Sequence, residues 1–75
     1  MDKEVQLVID TTFSNEGIWK DVNSTLRDNI KQVLPLCFIG GTKEYERVNG
    51  YENLPWKVKH HLDIRMEMYN DLKRL

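Results

Sequence analysis

Cysteine is almost missing from this sequence: Cys37 is the only one in 75 residues. A single thiol excludes an internal disulfide and any zinc site built from several cysteines, the usual reinforcements of small domains. Proline and glycine are nearly as sparse, with two and four copies, and no repeat, low-complexity tract or linker is visible. No apolar run approaches the length of a membrane span. The first residues, Met1-Asp2-Lys3-Glu4, carry both signs of charge and lead straight into a short alternating segment. The sequence therefore predicts neither a signal peptide nor a membrane span and, with its one cysteine, a reducing, cytoplasmic setting. An excess of one charge sign is missing too. Eleven Lys and Arg face twelve Asp and Glu, a net charge of -1, which argues against a protein held to nucleic acid by global electrostatics.

What is there fits one small domain spanning residues 1–75. A chain this short buries only about 60% of the surface it exposes when unfolded, so help from a partner or from self-association is expected. Charge is unevenly spread: residues 54–75 hold five cations against three carboxylates, a net +2, leaving -3 on the rest. That asymmetry permits head-to-tail association, although a solvated helix face is the commoner explanation. Cys37 lies in the apolar run Leu34, Leu36, Cys37, Phe38, Ile39 and reads as a buried small hydrophobe.

Val5, Leu7 and Ile9 alternate, and Asp10-Thr11-Thr12 follows, so residues 4–9 read as a strand closed by turn-forming residues. Ile18, Val22, Leu26, Ile30, Val33 and Leu34 recur at helical spacing, with Ser14 or Asn15 as cap, Glu16 at the positive end of the dipole and Pro35 as stop. Trp19 beside that stripe reads as a packing anchor. Leu36–Ile39, Gly40-Gly41 and Thr42–Val48 read as a β-hairpin, ended by an Asn49-Gly50 turn. From Pro55 to Arg74, Val58, Leu62, Met66, Tyr69 and Leu72 mark a long helix, and Ile64, Met68 and Leu75 form a second apolar strip beside the first. The expected fold is α/β, strand-helix-hairpin-helix (βαββα) with a long C-terminal helix.

The most informative local feature is an acid at the end of the first predicted strand with hydroxyls two and four residues later. Asp10, Thr12 and Ser14 offer oxygens of the kind Mg²⁺ prefers, in a strand-to-helix loop where ligands bind in open α/β sheets. The same residues also read as plain turn and cap chemistry. This Asp-x-Thr-x-Ser run resembles the start of the von Willebrand factor A-type domain, whose metal-dependent adhesion site opens with Asp-x-Ser-x-Ser after the first strand. Residues 4–75 follow the element order of that domain's N-terminal half. The resemblance implies a Mg²⁺ ion held by Asp10, Thr12 and Ser14 that captures an acidic residue of a protein partner, without covalent chemistry.

Other constellations are weaker. His60 and His61 are adjacent, so on a helix their rings point about 100° apart and cannot share a metal. Glu44 and Glu46 share a face of the predicted hairpin, but nothing in the sequence builds a cleft around them, and no glycine-rich phosphate loop precedes a helix.

The sequence therefore predicts a non-enzyme with no required cofactor: a small protein-interaction module that regulates or inhibits a larger partner, and a homodimer. Trp56, Met66, Met68, Tyr69 and Leu72 are the predicted partner-binding residues, because aromatic and Met side chains are enriched in interface cores. By analogy alone, mobile elements and small regulatory operons encode many such proteins. The alternative is a winged-helix-like nucleic-acid binder, with the hairpin as wing and Lys43, Arg47, Lys57, Lys59 and Arg65 on phosphates.

Overall fold

The structure, a computed structural model, describes residues 3–74. Its elements are α1 (Lys3–Phe13), α2 (Glu16–Trp19), α3 (Ser24–Gly40), 3-10 turns at Glu44–Arg47 and Tyr51–Asn53, and α4 (Trp56–Lys73). Among the described residues there is no strand, so the expected α/β fold is corrected to a small all-helical domain.

The first predicted strand is α1. Val5, Val8, Ile9, Thr12 and Phe13 fall at i, i+3, i+4, i+7 and i+8, a helical stripe concealed beneath the alternation of Val5, Leu7 and Ile9. Val5, Ile9 and Thr12 are buried, whereas Leu7, essential to the alternating pattern, is 64% exposed. The supposed turn residues are satisfied within the helix. Gln6 Nε2 donates to Asp10 Oδ1 at 2.8 Å, one turn on, and the Thr12 hydroxyl donates back to the Val8 carbonyl at 2.6 Å.

The helix predicted from residue 18 to Pro35 divides in two and runs further. Its expected caps serve elsewhere: Asn15 makes no side-chain cap bond, and the Ser14 hydroxyl donates to the Thr11 carbonyl. Asn23 caps α3 instead, accepting from the amides of Thr25 at 2.8 Å and Leu26 at 3.3 Å. Pro35 does not stop α3, because Ile30, Leu34, Cys37 and Phe38 continue one buried stripe through it. The helix ends where Gly41 adopts a left-handed conformation, φ 69°, and its amide donates to the Cys37 carbonyl. The predicted hairpin is thus the end of α3 and a 3-10 turn, and Gly40-Gly41 is a helix terminus. The Asn49-Gly50 turn does form, with Gly50 at φ 96°.

α4 follows its sequence pattern closely. Val58, Leu62, Met66 and Tyr69 are buried and meet Val5, Ile9, Trp19, Ile30, Leu34, Phe38 and Tyr45 in one core. Phe38 lies against Tyr69 with ring centroids 5.1 Å apart, and Tyr45 against Tyr51 at 6.0 Å.

α4 also supplies what the other helices lack. Neither α1 nor α3 has a basic residue in its last turn to complement its negative end. Arg65 reaches the end of α1, its Nε donating to Thr12 Oγ1 at 3.2 Å and its Nη2 to Thr11 Oγ1. Lys73 reaches the end of α3, its Nζ donating to the carbonyls of Phe38 at 3.2 Å and Ile39 at 3.1 Å. The Thr12 carbonyl, an orphan of the last turn of α1, takes Trp19 Nε1–H and His61 Nε2, both at 2.9 Å. A carbonyl only accepts, so the His61 proton is on Nε2 and both lone pairs of Thr12 are used.

Two substitutions test this account. Arg65→Met keeps the aliphatic stem and removes the donors, and is expected to cost about 1–2 kcal/mol in urea unfolding. Pro35→Ala restores a missing helical amide and is expected to stabilise by about 1–3 kcal/mol. A loss of stability on that change would show that the pyrrolidine ring packs better than it costs.

Candidate docking face on the last helix

With its core stripe turned inward, α4 presents a second face outward. Trp56 is 77% exposed, Leu72 59%, Met68 48% and Ile64 39%. Trp56 lies over the N-terminal turn of α4, its ring centroid 6.3 Å from that of His60. The predicted partner-binding set therefore separates: Trp56, Met68 and Leu72 lie on the outer face with Ile64, while Met66 and Tyr69 are core residues. The reason is angular, since Met66 and Met68, two positions apart, point about 160° away from each other.

The predicted cation ligands do not converge. Asp10 is exposed and bonded to Gln6, whereas Thr12 is buried, and two residues on a helix diverge by about 160°. Ser14 turns back onto the Thr11 carbonyl. The strand-end loop on which the adhesion-type reading rested is replaced by the continuous helix α1. Among the described residues, no group of three His, Cys, Asp or Glu side chains could hold a metal ion.

The nucleic-acid set is largely engaged within the domain. The predicted wing is the end of α3 and a 3-10 turn. Lys43 faces Asp63 at 3.8 Å, Lys59 Nζ donates to the Glu52 carbonyl at 3.3 Å and covers the Tyr51 ring, and Arg65 holds α1. Arg47 remains exposed on the 3-10 turn and Lys57 half-buried on α4.

Sequence reasoning missed four positions. The contacts of His61 and Arg65 with α1 were hidden because the end of α1 reads as a turn in the sequence. Asn23-Ser24-Thr25 before an apolar periodic run is a cap signature that would have placed the start of α3. Tyr45 is fully buried, and its hydroxyl donates to Asp63 Oδ1 at 2.5 Å. Burial and then the Asp63 carboxylate push the Tyr45 phenol far above its ordinary value. Burial likewise raises the Cys37 thiol, an inert core group rather than a nucleophile.

The described residues also line hollows at the surface. One of about 270 Å³ is lined by Phe13, Glu16, Trp19, Lys20, Val22 and Arg27, and another of about 280 Å³ by Val33, Leu36, Glu44, Arg47 and Val48. Neither gathers a nucleophile and a base. No helix is long and apolar enough to cross a membrane among the described residues. No protein-family model, curated protein or solved structure matches the chain.

The Tyr45 shift has a measurable consequence. A phenol whose folded pKa is raised stabilises the fold fully below the unfolded value, near 10.0, and that stability is lost as pH rises beyond it. Urea unfolding is expected to show stability falling above about pH 10. Tyr45→Phe should be less stable at neutral pH but reduce the alkaline slope by about 1.4 kcal/mol per pH unit. An unchanged slope would remove Tyr45 as its source.

Proposed function

We propose that this chain is a small, non-enzymatic protein-interaction module, of the regulator or inhibitor kind, whose docking surface is the outer face of α4. The observation that carries the reading is that Trp56, Ile64, Met68 and Leu72 stay exposed on one helix of a domain whose core is already filled. An isolated exposed apolar residue is ordinary, but a row of them headed by an indole has the composition of an interface core. The same helix holds α1 and α3 in place, so the face is presented on a rigid element and little ordering is needed on binding. The free, buried Cys37 thiol fits the reducing, cytoplasmic setting expected from the sequence.

The test is site-specific photocrosslinking in cells that encode the protein. A photoreactive residue at Met68 is expected to give a discrete protein adduct, while one at Leu36, 67% exposed on α3, gives none. Adducts from position 36 alone, or none from position 68, would sink the reading.

A further inference from the structure

The outer face of α4 has a symmetry of its own. Trp56, His60, Ile64, Met68 and Leu72 follow one another at four-residue intervals, and all five are exposed. About Ile64 the row pairs by chemistry. Trp56 and Leu72, two large apolar groups, stand eight residues to either side, and His60 and Met68 stand four to either side. Lys57 and Asp71 stand seven residues to either side and carry opposite charges. Seven residues is nearly two full turns, so both leave the helix within about 20° of the direction of Ile64.

We propose that the occupant of this face is a second copy of the chain, with its α4 antiparallel to the first and the two-fold axis at Ile64. The inference rests on the reading of α4 as the docking face and adds what covers it. A two-fold contact uses the same patch on both copies and therefore needs a patch that complements itself. Antiparallel pairing meets that need at each pair. Ile64 meets its equivalent, the His60 ring lies beside the Met68 thioether, and Lys57 meets Asp71, the unlike pairs occurring twice. Asp71 also lies 3.9 Å from Arg74 on its own helix. Trp56 and Leu72, about 80° to either side of Ile64, flank the contact. Parallel pairing would instead set Lys57 against Lys57 and Asp71 against Asp71 and align the two helix dipoles, an arrangement repulsive at both ends. The contact centres on Ile64, with the two helix axes close to antiparallel so that Lys57 and Asp71, within about 20° of its direction, stay within reach of each other. One helix from each copy makes a small interface, so the dimer is weak and depends on concentration.

Sedimentation equilibrium of the full chain over about 1 μM to 1 mM tests the pairing, a range that spans weak association constants. The average mass is expected to climb from the monomer's 8.9 kDa toward twice that value. Asp71→Lys sets two cations against each other at both ends, and is expected to weaken association about tenfold or more, as is Lys57→Asp. The double variant Lys57→Asp with Asp71→Lys restores the complement and is expected to recover wild-type association, with circular dichroism confirming that every variant is folded. A monomer throughout the range, a dimer indifferent to either single reversal, or a double variant as weak as the singles would each overturn the proposal. A monomer that still crosslinks through position 68 to a different protein removes the second copy as occupant but keeps the docking face. Absence of any adduct from that position removes the face itself.

Discussion

The fold depends on the carbonyl groups that α1 and α3 leave unpaired at their C-terminal ends. Every helix ends with such orphans, and burying them without donors costs about as much as a lost hydrogen bond each. Here α4 supplies donors to those carbonyls, with His61 at the end of α1 and Lys73 at the end of α3, while Trp19 adds the second bond to the Thr12 carbonyl and Arg65 holds the Thr11 and Thr12 hydroxyls beside it. The spacing of these residues along α4 sets where the other two helices can lie. Once they are fixed, the apolar stripes of α1, α3 and α4 face one another around Phe38, Leu62 and Met66.

This arrangement assigns the cations of α4 a structural role. Lys59 and Lys73 reach along the surface to backbone carbonyls and aromatic rings, and Arg65 to the hydroxyls of Thr11 and Thr12, so these three are not displayed as a basic field. A nucleic-acid surface would require them free and gathered on one face. The side of α4 facing away from these contacts carries the exposed Trp56, Ile64, Met68 and Leu72 among polar neighbours. Stability and docking thus divide the two sides of one helix between them.

Tyr45, Phe38 and Met66 fill the centre of the domain, and the two hollows described lie at its surface. The buried Tyr45 hydroxyl and Cys37 thiol are held in their neutral forms by desolvation, the reverse of the activation that nucleophilic chemistry needs.

The sequence by itself determined α4 within a residue at each end, the helical period of Val58, Leu62, Met66 and Tyr69, the burial of Cys37 and Trp19, and the Asn49-Gly50 turn. Each rests on a local signal strong enough to stand alone: a long 3.6-residue period, a proline ahead of the first turn, or a dipeptide that accepts positive φ. Which side of α4 faces the core was not legible in full: Met66 and Tyr69, expected at a partner surface, are buried, and Leu72, on the same period, is exposed. What only the tertiary structure decided was the state of residues 4–9 and 36–48. Their short apolar runs fit a period of two and a period of 3.6 alike, and the choice falls to whichever neighbour can bury the stripe. α1 is a helix because α4 offers a groove for Val5, Ile9 and Thr12 together with donors for the carbonyl of Thr12, and α3 runs through Pro35 because burying Cys37 and Phe38 outweighs one lost amide bond.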